Sequence, residues 1–110
     1  WNLELAEMLS IGKNCIATNY SGPTEYGIES GCYLINPDGM EPANDSKWFD
    51  GSASWAKLEE NYINNFSNQL KELHIKKQND NLKTNISGIE FFKQNTWESS
   101  CETIIREILQ

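Results

Sequence analysis

One histidine, three cysteines and sixteen carboxylates are the side chains here that could serve as acids, bases, nucleophiles or metal ligands. His74 sits in the Lys-rich tail of an amphipathic stretch, where an exposed, solvated imidazole is the plain expectation. Cys15, Cys32 and Cys101 lie far apart, each within an apolar stretch. They are expected as buried free thiols in a reducing compartment. One His and three dispersed Cys make no tetrahedral zinc set, so no metal site is expected. A catalytic triad would have to use His74, and nothing beside it supports that. Walker A and GxGxxG are both absent. Trp48, Phe49 and Trp55 could form a platform for a donor or an acceptor, although aromatic side chains in loops more often anchor packing.

What remains is the opening, Trp1-Asn2-Leu3-Glu4-Leu5-Ala6-Glu7-Met8-Leu9-Ser10-Ile11-Gly12-Lys13, followed by Ile16-Ala17-Thr18-Asn19-Tyr20-Ser21-Gly22-Pro23-Thr24-Glu25. Together these residues resemble the C-terminal, donor-binding domain of group 1 retaining glycosyltransferases. Those enzymes have the GT-B architecture, two Rossmann-like domains with the active site in the cleft between them. The family pattern is Glu-Gly-Phe-Gly-Leu, three variable residues and a second Glu. A small-residue helix, a Gly, a strand ending near Thr-Asp or Thr-Asn, and Gly-Gly-x-x-Glu follow. Trp1 falls at the Phe, Asn2 at the second Gly, Leu3 at the Leu, Glu7 at the second Glu and Gly12 at the helix-ending Gly. Ser21-Gly22-Pro23-Thr24-Glu25 matches the turn, with Ser in place of the first Gly. The likeness covers roughly the first 35 residues well and the last 15 loosely, where Thr96-Trp97-Glu98 opens an amphipathic stretch.

The resemblance implies retaining sugar transfer from a nucleoside-diphosphate sugar, with no metal or other cofactor. The acceptor would be bound mainly by an N-terminal domain outside this sequence. The first Glu of the pattern, which would contact the donor sugar, falls before Trp1, so the catalytic residue is unknown. The chain opens at Trp1 without Met and is expected to be a fragment, inactive alone. On the residues present, the physics is coherent. A helix amino end offers unpaired N–H groups and partial positive charge, which suits a diphosphate. Trp1, Asn2 and Leu3 would open that helix. Glu7 resembles the residue that grips the ribose hydroxyls, and a carboxylate accepts two bonds from a vicinal diol. Thr18 and Asn19 end a strand, where ligands bind in open α/β sheets, or form only a turn. Glu25 is expected as a structural acceptor for nearby backbone N–H groups.

The elements that must position these residues follow from periodicity. Leu3–Ile11 reads as a short helix closed by Gly12 in the left-handed region. Residues 14–18 and 31–35 read as short buried strands, with a short helix opened by Pro23 between them. Residues 37–57 read as an irregular loop. Leu58, Tyr62, Ile63, Phe66, Leu70 and Leu73 mark one face of a helix, and Leu82, Ile86, Ile89 and Phe92 a second helical face weakened by Gly88. Thr96 is expected to cap a last helix with Trp97, Cys101, Ile104, Ile105 and Ile108 facing inward. The fold class is therefore α/β over residues 1–110, a partial Rossmann-like three-layer half of a GT-B fold. Helix and strand alternate over 1–36, and helices fill 58–110.

With 110 residues, 38% apolar and 23% charged, the chain has the composition of one globular domain. A formal charge of -7, with nine scattered basic residues, disfavours nucleic acid. No apolar run approaches a membrane span, no secretory leader is visible, and a cytoplasmic location is expected. Asn-x-Ser/Thr sequons fit the general abundance of Asn better than glycosylation. A non-catalytic interaction or regulatory module that keeps the fold is the alternative function. A nucleotide-sugar epimerase or other sugar-nucleotide binder is a weaker third.

Overall fold

The structure, a computed structural model, describes residues 2–109. Leu5, Ala6 and Leu9 recur at helical spacing and are buried on one side of α1 (Leu3–Ser10). Asn2 caps its start, accepting from the Leu5 amide at 3.1 Å. The helix ends as expected at Gly12, whose φ of +79° is left-handed. Gly12 N donates to Leu9 O at 2.9 Å and Lys13 N to Met8 O at 3.0 Å, satisfying carbonyls the last turn leaves open.

The chain then runs through β1 (Ile16–Thr18), α2 (Pro23–Tyr26) and β2 (Tyr33–Ile35). β1 and β2 pair in parallel, with Ile16 opposite Tyr33 and Thr18 opposite Ile35. Alternate strand residues serve opposite faces. Cys15, Ala17 and Leu34 pack into a core of Leu5, Leu9, Tyr26 and Cys32, joined by Phe91 and Phe92 of α4 (Ile86–Gln94). Leu9 is fully enclosed, a burial that contributes roughly 1.5–3 kcal/mol. Thr18 points the other way, to Tyr62 of α3 (Glu60–Gln78). The parallel pair thus lies between α1, α2 and α4 on one side and α3 on the other.

Residues 37–57 are not an irregular loop. They form an antiparallel ribbon of β3 (Gly39–Asn44) and β4 (Asp50–Lys57) with Glu41 opposite Trp55 and an irregularity between Pro42 and Asn44. The ribbon is largely exposed on both faces. It therefore needs backbone pairing rather than an apolar alternation, and its sequence shows none. Its turn is built by Asp45, whose carboxylate accepts from the amides of Lys47, Trp48 and Phe49 at 2.9, 2.7 and 2.9 Å. The Trp55 indole donates to Glu41 at 2.9 Å and meets the Phe49 ring edge-on.

Leu82 precedes α4 instead of belonging to it, because Asn85 caps that helix at the Gly88 amide, 3.1 Å away. Asn85 also donates to Ser30 O at 2.9 Å, tying α4 to the approach to β2. The last helix, α5 (Trp97–Ile108), has the expected Thr96 cap, completed by Ser99 into a reciprocal box. Its apolar residues do not face inward, and residues 100–109 are all exposed. Amphipathic spacing marks the apolar side of a helix; it does not supply a partner for it. Cys101 is accordingly exposed, whereas Cys32 is buried and Cys15 half-buried; all three are free. The chain is mixed α/β, with one parallel and one antiparallel strand pair. Among the described residues no helix is long and apolar enough to cross a membrane.

Candidate functional site

An open cleft of about 680 Å³ runs along β1 from Cys15 to Thr18, between α1 from Asn2 to Met8, the start of α2 and the first turns of α3. Its apolar floor comes from Leu5, Met8, Ile16, Ala17 and Phe66, and its polar groups are Asn2, Glu4, Thr18, Tyr20 and Tyr62. The polar groups are held by contacts that cross the fold. Thr18 Oγ1 and the Tyr62 hydroxyl share a hydrogen bond of 2.7 Å. Tyr62 is itself placed by Asp38, whose carboxylate accepts from the amides of Tyr62 at 3.0 Å and Glu59 at 2.8 Å, capping α3 where Glu59 does not. These amides, Tyr62 foremost, hold the Asp38 carboxyl below the usual carboxylate range. The Tyr20 hydroxyl donates to Ser54 O at 2.8 Å and ties the ribbon to the cleft.

Asn2 organises the helix start. Its side chain is committed to Leu5, and its carbonyl accepts from Ala6 N at 3.0 Å and from the Tyr26 hydroxyl at 3.2 Å. Among the described residues, the amides of Leu3 and Glu4 find no acceptor, as the geometry of a helix start requires. Among the described residues Glu4 is the one charged side chain lining the cleft. Lys13 lies elsewhere, in a separate hollow shared with Lys77 and Lys83. Burial pushes the Cys15 thiol up, so it stays protonated beside the apolar floor.

The residues singled out from the sequence divide. Asn2 and Thr18 line the cleft; Trp1 lies outside the described residues. Leu3 is 68% exposed and Glu7 is exposed, and neither lines the cleft. Glu7 follows Glu4 by three residues, so it lies about 60° around the helix and one turn further from its amino end. Asn19 turns to Asn36, donating to its side chain at 2.7 Å across the strand ends. Glu25 is exposed, and among the described residues its carboxylate accepts no backbone N–H, so it is not the structural acceptor expected. Its place on the outer side of a four-residue helix turns it to solvent. Ser21 takes a φ of 56° in the turn, the conformation in which a Gly is least strained. His74 is exposed, as expected. Trp48, Phe49 and Trp55 do not line the cleft; Phe49 and Trp55 pack on each other and Trp48 stays 78% exposed.

Glu4, Tyr20 and Tyr62 belong to the cleft and were not singled out. Tyr62 was legible only as an apolar helix position, since its partner Thr18 is 44 residues away. Glu4 had a signal, an acidic residue in the first turn of a helix. Among the described residues, no group of His, Cys, Asp or Glu side chains is gathered to hold a metal ion. Fold and site together define a small mixed α/β unit with a ligand-sized cleft along β1, one of its two parallel strands. No family model, no curated protein and no solved structure matches the chain.

Proposed function

We propose that this chain is the donor-binding part of a retaining glycosyltransferase with a Rossmann-like, GT-B arrangement, binding a nucleoside-diphosphate sugar in the cleft. One observation carries the reading: Glu4, whose amide is open at the start of α1, and Thr18, at the carboxyl end of β1, line the same cleft. In parallel α/β sheets that is where phosphates bind, because free N–H groups and the helix dipole point at one spot. The diphosphate rests against the Glu4 N–H at the start of α1. A carboxylate on the same helix clasps the ribose diol; Glu7 holds the position the resemblance assigns to that role, and Glu4 stands one turn nearer the cleft. Catalysis in the parent enzyme consists of orienting the donor and stabilising the leaving diphosphate with preorganised donors, without a metal. The acceptor is supplied with its own binding domain, and the enzyme works in the cytoplasm.

Titration of UDP- and GDP-sugars into isotope-labelled protein tests this. Binding is expected to shift the amide signals of Leu3, Glu4 and Thr18, and Glu4→Gln or Glu7→Gln to weaken it at least tenfold. Undiminished affinity in Glu7→Gln removes Glu7 from the site, and silent amides with every donor remove the reading.

A second reading rests on a different observation. Among the described residues no cationic side chain lines the cleft, and its one charged side chain is the acid Glu4. A diphosphate is poorly neutralised there, which suits a non-catalytic module that keeps the fold for interaction. That reading expects no nucleotide-sugar binding at millimolar concentration.

A further inference from the structure

The most sharply amphipathic helix of the described residues, α5, leaves its apolar side exposed. In α5, Trp97, Cys101, Ile104 and Ile108 recur at steps of four, three and four, the seam of a helix packed on another helix. All are exposed: Trp97 at 86% and Ile108 at 75%. A 12-residue helix is marginal in water on its own, so such a seam needs a seat. A second uncovered stripe lies on α3, adjoining the side that presents Tyr62 and Phe66 to the cleft. Ile63 and Leu70 are 57% and 54% exposed at a seven-residue step. Next to them is a hollow of about 490 Å³ lined by Leu70, Lys71, His74 and Ile75.

Charge selects between the possible pairings. α5 carries Glu98, Glu102 and Glu107 against Arg106 alone. Two α5 helices side by side would bring like charges together, and an acidic amphipathic helix is poorly matched to an anionic membrane. The carboxyl half of α3 carries Lys71 and Lys77 on the two flanks of its apolar stripe, while Lys76 is paired with Glu72 further round the helix. The acidic flanks of α5 fit that half. They cannot easily meet it within one molecule. α5 follows α4 after only Asn95 and Thr96, and α4 packs on the side of the sheet opposite α3.

We propose that α5 of one copy seats on α3 of a second copy, reciprocally, giving a twofold dimer with two identical helix contacts. A self-complementary exchange of this kind closes on itself and uses both uncovered stripes at once. The proposal does not rest on the donor-site reading, because none of the residues lining the α3 hollow lines the cleft.

Light scattering and sedimentation of the full chain from 1 to 200 µM test it. The expected result is a mass twice that of the chain at the upper end. The variant Ile104→Glu with Ile108→Glu, and separately Leu70→Glu, should return it to single mass. Far-UV circular dichroism and core methyl signals of Leu9 should stay unchanged, showing that the body is still folded. Lys71→Glu with Lys77→Glu should weaken association at least tenfold, and adding Glu98→Lys with Glu107→Lys to the same chain should restore it. A chain of single mass throughout overturns the proposal. So does a dimer indifferent to the α5 variant, or binding to neutral phosphatidylcholine vesicles by a chain of single mass.

Discussion

Tyr26, only 1% exposed, donates its hydroxyl to the carbonyl oxygen of Asn2, the residue that caps α1. The bond joins two short helices 24 residues apart and holds one wall of the cleft against the core. Tyr26→Phe keeps the rings of Phe91 and Phe92 packed and removes this bond. It should lower stability by about 1 kcal/mol, the usual worth of such a bond. Amide exchange at Leu5 and Ala6, both bonded to Asn2, should quicken more than exchange in α3. Equal quickening in both would mean the bond does not anchor the helix start.

Gly88 should resist replacement by Ala. Within α4 Ala is favoured over Gly by about 1 kcal/mol, yet a Cβ there would sit 2.4 Å from Leu9 O and 3.0 Å from Asn85 Nδ2. The close approach of α1 and α4 must open to admit it. Gly88→Ala is therefore expected to destabilise by about 1–3 kcal/mol in urea unfolding, opposite in sign to helix propensity.

Asp38 should contribute to acid unfolding. Its folded pKa lies below the ordinary 3.8 because the amides of Tyr62 and Glu59 hydrogen-bond the charged form. The unfolded chain binds the proton more readily, so the stabilisation is present above about pH 4 and is lost as pH falls through the lowered folded value. Asp38→Asn should flatten the acid limb of stability against pH while leaving part of it, since Asp45, Asp50 and Glu98 are lowered too. An unchanged acid limb would show that the α3 cap is not coupled to folding.

The three thiols should react in a fixed order. Cys101 is exposed, Cys15 is half-buried, and Cys32 is pushed up to about 11, first by burial and then by the nearby Cys15. At pH 8 roughly one Cys32 in a thousand is a thiolate. Iodoacetamide with mass mapping should label Cys101 first, Cys15 more slowly and Cys32 only as fast as the protein opens. Early labelling of Cys32 would contradict the packing around Leu9.

The local features were readable in the sequence because their causes are local. Gly12 closes α1 since only a residue at ease in the left-handed region ends a helix so tightly. Pro23 opens α2, Thr96 caps α5, and three- and four-residue spacing marks α3. The parallel pair followed from short apolar runs around a short helix. What the spacing of residues left open is what depends on distant partners. The 39–57 ribbon is paired by backbone atoms and leaves no apolar alternation to read. Tyr62 joins Thr18 only because Asp38 caps α3 at the right height. Gly88, which weakens a helix in isolation, is needed because Leu9 passes against it. Glu4, rather than Glu7, reaches the cleft because the angle at which α1 lies on the core decides which carboxylate turns toward β1. A sequence states which groups each element carries; only packing decides which of them meet, since contact energy depends on distances that no single element sets.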